Sequence, residues 1–426
     1  MIQKFIEKGY EIVEHSEKAD IYVINTCTVT NISDRKSRQM LRRVKELNPK
    51  AIIVACGCYV QVAKDELEKI KEIDIILGNN EKNNIIQYVE NHIKKQYNKV
   101  DDKKKNSKEQ NNNKSIQIED VMNQKDYIDF GDVTYTEKTR AVIKVQDGCD
   151  RFCSYCIIPY ARGRVRSRKP ENVLSEIEKI AKEGIKEVVI TGIHIASYGK
   201  DFKEKYRLID LLEEIDKIDG IERIRLGSLE PLLIDESFLK RVEKLKKICH
   251  HFHLSLQSGC NETLKRMNRR YTIEQFHKIV NLIRKYYPDV ILTTDIIVGF
   301  PGESDEEFKK TYEFLKHIKF YKMHVFKYSP REGTKAAIMK EQVDGNIKEK
   351  RSQELIGLSN RNEEEYNKKY IGKKVKVLFE EEKEGIYKGH TNNYILVYCK
   401  SKENLNNKII EVTCEKIQEN HIIAKM

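Results

Sequence analysis

The sequence has no apolar run approaching the roughly 18 residues that a membrane helix needs. Residues 1–20 carry charges throughout, where a secretory signal would need an apolar stretch. The expectation is a cytoplasmic protein with no membrane role. Neither GxGxxG nor GxxxxGK[ST] occurs, and Gly299-Phe300-Pro301-Gly302 reads as a turn, which sets aside NAD binding and nucleotide-triphosphate hydrolysis. Residues 101–115 hold no aliphatic or aromatic side chain at all. Such a stretch has nothing apolar to bury, and a disordered Lys/Asn-rich linker is expected over residues 97–134. Charge, in contrast, is plentiful: 34% of the 426 residues are charged, with a net charge of +12. Spread over so long a chain, that excess permits a polyanionic partner without demanding one. With 39% hydrophobic residues the chain has material for several cores, and its length suggests about three domains.

The apolar run at residues 21–24 reads as a buried strand that ends at Asn25-Thr26-Cys27. A helix is expected from Asp34, with Met40, Leu41, Val44 and Leu47 on one face. Strands at 51–55 and 73–77 follow, the first ending at Cys56-Gly57-Cys58. This order predicts a small parallel α/β domain over residues 1–96, with Cys27 and Cys58 at strand carboxyl ends, where open sheets bind ligands. Between Thr139 and about Pro330, candidate strands at 141–145, 187–191, 223–226, 252–257, 290–297 and 323–328 alternate with helical patterns. Six βα units predict a parallel partial barrel within a core domain of residues 135–368. In its fourth strand His253, Ser255 and Gln257 alternate with Phe252, Leu254 and Leu256, so one face looks into a polar lumen. Short strand-like runs after a charged helix predict a small β-barrel over residues 369–426.

In a reducing compartment ten cysteines read as thiols or metal ligands before disulfides. Cys149, Cys153 and Cys156 have C-x3-C-x2-C spacing just after the first barrel strand. Three thiolates on one loop can hold three irons of a [4Fe-4S] cluster and leave the fourth open for a small molecule. Zinc is the rival, but its structural sites need a fourth Cys or His, and none follows at close spacing. This spacing, the aromatic Tyr155 and the barrel resemble the radical S-adenosylmethionine superfamily. Asn25–Thr30, Gly57–Gln61, Ile157-Ile158-Pro159 with Arg162-Gly163-Arg164, Thr191–His194, Leu256–Gly259, Met267–Arg270, residues 295–302 and Tyr328–Thr334 narrow the resemblance to the methylthiotransferases. Cys27 followed by Thr28-Val29-Thr30-Asn31 resembles the branch that acts on N6-threonylcarbamoyladenosine in tRNA, and Gly389–Tyr394 resembles the family's TRAM RNA-binding domain.

The resemblance implies that Cys149, Cys153 and Cys156 carry the S-adenosylmethionine cluster, with Tyr155, His194, Gln257, Arg269 and Asp295 near the cofactor. It implies a second, auxiliary [4Fe-4S] cluster with Cys27 and Cys58 among its ligands. The family pattern also expects an earlier strand ending in Gly-Cys, ahead of the segment that begins here at Met1; either the start lies further upstream, the reading favoured here, or this form has an incomplete auxiliary site. Cys56 is read as a small buried residue. One S-adenosylmethionine would donate methyl, a second would be the radical source, and C2–H of the adenine next to the anticodon would become C2–SCH3. The partners implied are the tRNA anticodon loop and an electron donor. Arg162, Arg164, Arg166 and Arg168 form a positive run after the cluster loop, read as contacts to RNA phosphates. An isopentenyladenosine tRNA, a ribosomal protein, or silent tRNA binding stand as the alternatives.

Overall fold

The computed structural model describes residues 1–102, 114–131 and 139–426. The chain forms two compact units that do not follow the sequence in simple order. The first comprises Met1–Val133, Gly148–Arg164 and Ser329–Ala337; the second comprises Thr134–Asp147, Val165–Tyr328 and Ile338–Met426.

The first unit is built on a parallel sheet of β1 (Ile21–Thr26), β2 (Ile52–Gly57), β3 (Ile75–Leu77) and β4 (Ser115–Gln117), in that order. Strand β2 is buried along its whole length, as an inner strand covered on both faces requires. The helix Asn31–Leu47 starts where the Thr30 side chain accepts a bond from the Ser33 N–H, and it buries Leu41 and Val44 against the sheet. Strand β4 corrects the expectation of a continuous linker over residues 97–134. Ile116 and Ile118 pack against the core, which the Lys/Asn stretch before them cannot do, and the helix Ile85–Asp102 also runs into this segment. Residues 103–113 lie outside the described residues.

The second unit holds the six parallel strands in barrel order: β5 (Arg140–Asp147), β7 (Glu187–Gly192), β8 (Arg223–Leu226), β9 (His251–Gln257), β10 (Ile291–Val298) and β11 (Lys322–Lys327), with the two-residue β6 (Arg166–Ser167) antiparallel on the β5 edge. Two sheets meet at β8 and β9 through isolated bridges at Ile224–Ile248 and Leu229–Leu254, so the barrel is partial. Its core lies between strands and outer helices such as Pro170–Lys182, Ile273–Tyr286 and Asp305–Ile318. The C-terminal strands β12 (Lys374–Lys383), β13 (Ile386–Thr391), β14 (Leu396–Lys400), β15 (Ile409–Gln418) and β16 (His421–Lys425) close into a five-stranded barrel. Sequence reading missed β13, whose pattern is interrupted at Gly389; a Cβ there would lie 2.2 Å from the Leu378 carbonyl oxygen.

The small barrel covers the amino-terminal end of the larger one. Arg223 donates to the His390 and Lys376 carbonyls, and Arg225 to the Asn392 carbonyl. Tyr394 stacks between His251 and His390 at centroid distances of 4.7 and 4.6 Å, beneath the Arg225 guanidinium at 4.8 Å. Among the described residues, no helix is long and apolar enough to cross a membrane.

Candidate active site

The cysteine loop leaves β5 through Gly148, whose φ of +71° and closeness to the Arg164 carbonyl leave no room for a side chain. The loop is then tied down by backbone. The Cys149 N–H donates to the Gly163 carbonyl at 3.0 Å, the Cys156 N–H to the Cys153 carbonyl at 3.0 Å, and the Ala336 N–H to the Ser154 carbonyl at 2.8 Å. Phe152 takes a left-handed φ of 49° between the first two cysteines, with its ring under the Arg164 guanidinium. All three thiols and Tyr155 are half-buried. Burial pushes the Cys149 thiol up to about 11, against a lowering backbone hydrogen bond at Arg151, so loading a metal must displace its proton.

The donor set fits a cluster better than a single ion. A tetrahedral zinc at 2.3 Å from each sulfur would draw its ligand sulfurs to roughly 3.8 Å of one another. Among the described residues, the trio of His, Cys, Asp or Glu whose ligand atoms converge within 4.8 Å contains no cysteine. Wider spacing on a single loop suits thiolates bound to three different irons.

The same unit holds the other two cysteines of interest. Cys27 is exposed after β1, and Cys58 is half-buried at the first position of the helix Cys58–Val62. That helix packs against the helix Ile158–Arg162, which follows the cysteine loop. Asn79 joins the two, donating to the Ala161 carbonyl at 2.7 Å and to Cys58 Sγ at 3.7 Å. Five candidate thiols therefore belong to one compact unit, although some 90 residues separate Cys58 from Cys149 in sequence. Cys56 stays apart: it is fully buried beside Phe5, Val54 and Leu77, and burial pushes its thiol up.

Sequence reasoning missed Arg331. Its buried guanidinium reaches Thr28, Asn31 and Asp34, and so clamps the loop that carries Cys27. The signal was present in Tyr328–Thr334, noted above as a family string but without a role for the arginine.

In the second unit the candidate cofactor residues divide. His194 and Arg269 converge on Glu230, a buried carboxylate that the sequence did not single out. Arg269 Nη2 donates to Glu230 Oε2 at 2.8 Å and to the Ser255 carbonyl at 2.9 Å, while the His194 N–H donates to Gln146 Oε1 at 2.7 Å. Gln257 ends β9 with a left-handed φ of 71°. Asp295 lies elsewhere in the lumen, its Oδ2 at 3.1 Å from His253 Nε2.

The arginine run is corrected in its second half. Arg166 and Arg168 are 2% and 4% exposed, with Arg168 paired to Glu176 and Arg166 at 3.9 Å from Asp147, so neither is presented to a phosphate. Arg166 lies in β6, antiparallel to β5, and the Arg168 N–H donates to the Val145 carbonyl, so the backbone of both arginines is held against β5. Arg164 is exposed and Arg162 half-buried.

Residues 143–315 match the Radical SAM superfamily, and residues 1–78 match a family described as uncharacterized protein family UPF0004. A threonylcarbamoyladenosine tRNA methylthiotransferase MtaB from Bacillus subtilis is 40% identical, covering 96% of this chain and 88% of that one. Its namesake from Aquifex aeolicus is 42% identical over 92% of this chain and 90% of that one. A tRNA-2-methylthio-N(6)-dimethylallyladenosine synthase from Natranaerobius thermophilus is 36% identical, over 97% and 89%. Among solved structures, the radical S-adenosylmethionine methyltransferase TsrM from Kitasatospora setae, with cobalamin and a [4Fe-4S] cluster bound, aligns with a TM-score of 0.54 at 17% identity, over 76% of this chain and 67% of that one. That likeness speaks for the fold. Spanning both family matches and nearly the whole length of its curated relatives, the chain belongs to the radical S-adenosylmethionine tRNA methylthiotransferases.

Proposed function

We propose that the protein methylthiolates C2 of N6-threonylcarbamoyladenosine in tRNA, replacing C2–H by C2–SCH3, at the adenosine next to the anticodon and in the cytoplasm. The observation that carries this reading is the three-thiol loop Cys149–Cys156, in one unit with Cys27 and Cys58, in a chain 40–42% identical to enzymes named for that substrate. When bound, a [4Fe-4S] cluster with S-adenosylmethionine supplies reductive cleavage to a 5′-deoxyadenosyl radical, and an auxiliary cluster supplies the site of sulfur transfer. Cys149, Cys153 and Cys156 would hold the first; Cys27 and Cys58 would contribute to holding the second. Gly148 and the bond to the Gly163 carbonyl hold the loop's shape, and Arg331 orients the Cys27 loop. Glu230 fixes Arg269 and His194 beyond the carboxyl ends of the barrel strands, where they would contribute to holding a carboxylate- and amine-bearing cofactor. Arg164 and the small barrel offer the surface for RNA backbone. An electron donor from the cell completes the set.

The test is nucleoside mass spectrometry of tRNA from cells with and without the gene. Loss of 2-methylthio-N6-threonylcarbamoyladenosine with retention of its unthiolated precursor is expected. An unchanged level, or loss of the dimethylallyl product instead, would sink the assignment.

A further inference from the structure

The barrel lumen carries a polar group that the proposed chemistry leaves unused. His253, Asp295 and His324 lie on the neighbouring strands β9, β10 and β11, and their ligand-type atoms all come within 4.8 Å of one another. The group is wired to the base of the barrel. His251 Nε2 lies 2.9 Å from Thr293 Oγ1, and the same hydroxyl lies 3.0 Å from His253 Nδ1. His251 is buried, and its Nδ1 has no hydrogen-bond partner among the described residues. An unpaired lone pair costs less there than an unpaired N–H, so the proton belongs on Nε2, which donates to Thr293. The single hydroxyl proton of Thr293 then goes to His253 Nδ1, and His253 Nε2–H donates to Asp295 Oδ2 at 3.1 Å. This relay holds Asp295 in place without engaging its second oxygen. His324, exposed on β11, makes no side-chain hydrogen bond among the described residues, and its ring lies 5.8 Å from that of His253. An imidazole and a carboxylate oxygen thus face open lumen where an ordinary barrel would set Val, Ile or Leu.

Resting on the substrate reading above, we infer that His324 and Asp295, oriented by the Thr293–His253 relay, bind the N6 substituent of the target adenosine and set the preference for threonylcarbamoyl over dimethylallyl. The chemistry of the two substituents decides it. Threonylcarbamoyl offers a urea N–H and a hydroxyl, which complement the Asp295 acceptor, and carbonyl and carboxylate oxygens, which complement an imidazole N–H and would lie on the His324 side, away from Asp295. Dimethylallyl offers only hydrocarbon and would strip water from both groups with nothing in return. A site built to hydrogen-bond its substrate rejects analogues that lack those groups far more strongly than an apolar pocket discriminates by shape.

The experiment uses the cluster-reconstituted full chain, with anticodon stem-loops carrying either N6-threonylcarbamoyladenosine or N6-dimethylallyladenosine. His324→Leu should lower kcat/KM for the threonylcarbamoyl RNA at least tenfold beyond any change in 5′-deoxyadenosine formation measured without RNA. It should also narrow the ratio between the two RNAs, and His324→Gln should recover part of the loss. Asp295→Asn should follow the same pattern, because its one amide oxygen is taken by His253 Nε2–H and the lumen meets an NH2 donor in place of the acceptor. Unchanged kcat/KM in His324→Leu, or an equal fall with both RNAs, overturns the inference. So does a fall in RNA-free 5′-deoxyadenosine of the same size, which would assign the group to the cofactor. One equivalent of Zn²⁺ bound by the holoenzyme and lost in His324→Leu would make the trio a metal centre and overturn it equally. If the unaltered protein acts on the dimethylallyl RNA and not on the threonylcarbamoyl RNA, it is the substrate reading that fails, visible before any variant is made.

Discussion

At the scale of single residues, the cysteine loop makes the most direct demand. Cys149, Cys153 and Cys156 are the trio at cluster spacing, so replacing all three by Ala should remove one four-iron cluster per chain. Iron analysis and 5′-deoxyadenosine formation would both register the loss, and retained formation would refute the assignment. Arg331 makes a different demand. Its guanidinium is buried with Asp34 and Thr28, and cutting one partner from a buried ion pair leaves the other charge uncompensated. Arg331→Ala should therefore cost about 3 kcal/mol of stability in the first unit, read by urea unfolding. It should lower methylthio product more than 5′-deoxyadenosine, because the Cys27 loop is what it clamps. Equal losses of both would make Arg331 a general structural residue.

At the scale of elements, the small C-terminal barrel is more than an appendix. Its Tyr394 stacks between His251 of the larger barrel and its own His390, and the carbonyls of Lys376, His390 and Asn392 accept from Arg223 and Arg225. Beneath them Glu187, 0% exposed, bonds Arg225 at 2.7 Å and lies within 4 Å of Arg140 and Arg223. Deleting residues 372–426 should thus expose the charged base of the larger barrel and lose soluble protein, not merely weaken RNA binding. A deletion variant with unchanged thermal stability would contradict this. Burial alone would raise the Glu187 carboxyl; the three guanidiniums overcome it and hold the group below the usual carboxylate range. A depressed folded value means that its stabilisation is complete above the unfolded value of about 4.3 and is lost as pH falls through the folded one. Glu187→Gln should flatten the stability profile in that acid window while costing about 3 kcal/mol near neutrality. An unaltered acid limb in Glu187→Gln would show that other carboxylates govern it.

For the whole molecule, a net charge of +12 and a polyanionic substrate predict affinity governed by counterion release. Binding of tRNA should weaken about tenfold or more between 50 and 200 mM salt, with a linear log–log slope. Replacing exposed Arg164 by Gln should make that slope shallower, whereas buried Arg168 should affect folding and leave the slope of any folded protein alone. A slope that responds to neither variant would move the RNA surface away from this run. Much of this organisation was legible in advance. The six barrel strands, the charged helix Gly345–Lys368 and the three-thiol loop all follow from local pattern, because periodicity and motif spacing are properties of neighbouring residues. Strands β4 and β13 were not legible: one is a three-residue strand after a Lys/Asn tract, the other is interrupted by a glycine.

What the sequence by itself determined is the chemistry. Cysteine spacing names a cluster, and the strings around Cys27, Gln257 and Tyr328 name the family, since ligand identity and loop shape are encoded within a few residues. What only the tertiary structure decided is which groups meet. The cysteine loop, the Cys58 helix and Arg331 come from three distant stretches and fall in one unit. Nothing local in the run Arg162–Arg164–Arg166–Arg168 says that two of its arginines face outward or partly so and two are buried; the backbone bonds of 166–168 to β5 and the Arg168–Glu176 pair make that choice. Glu230 joins loops that follow different strands, and the Thr293 relay and the His253–Asp295–His324 group are contacts between strands. Their distances depend on barrel register, and register is fixed by the packing of the whole sheet rather than by any one segment.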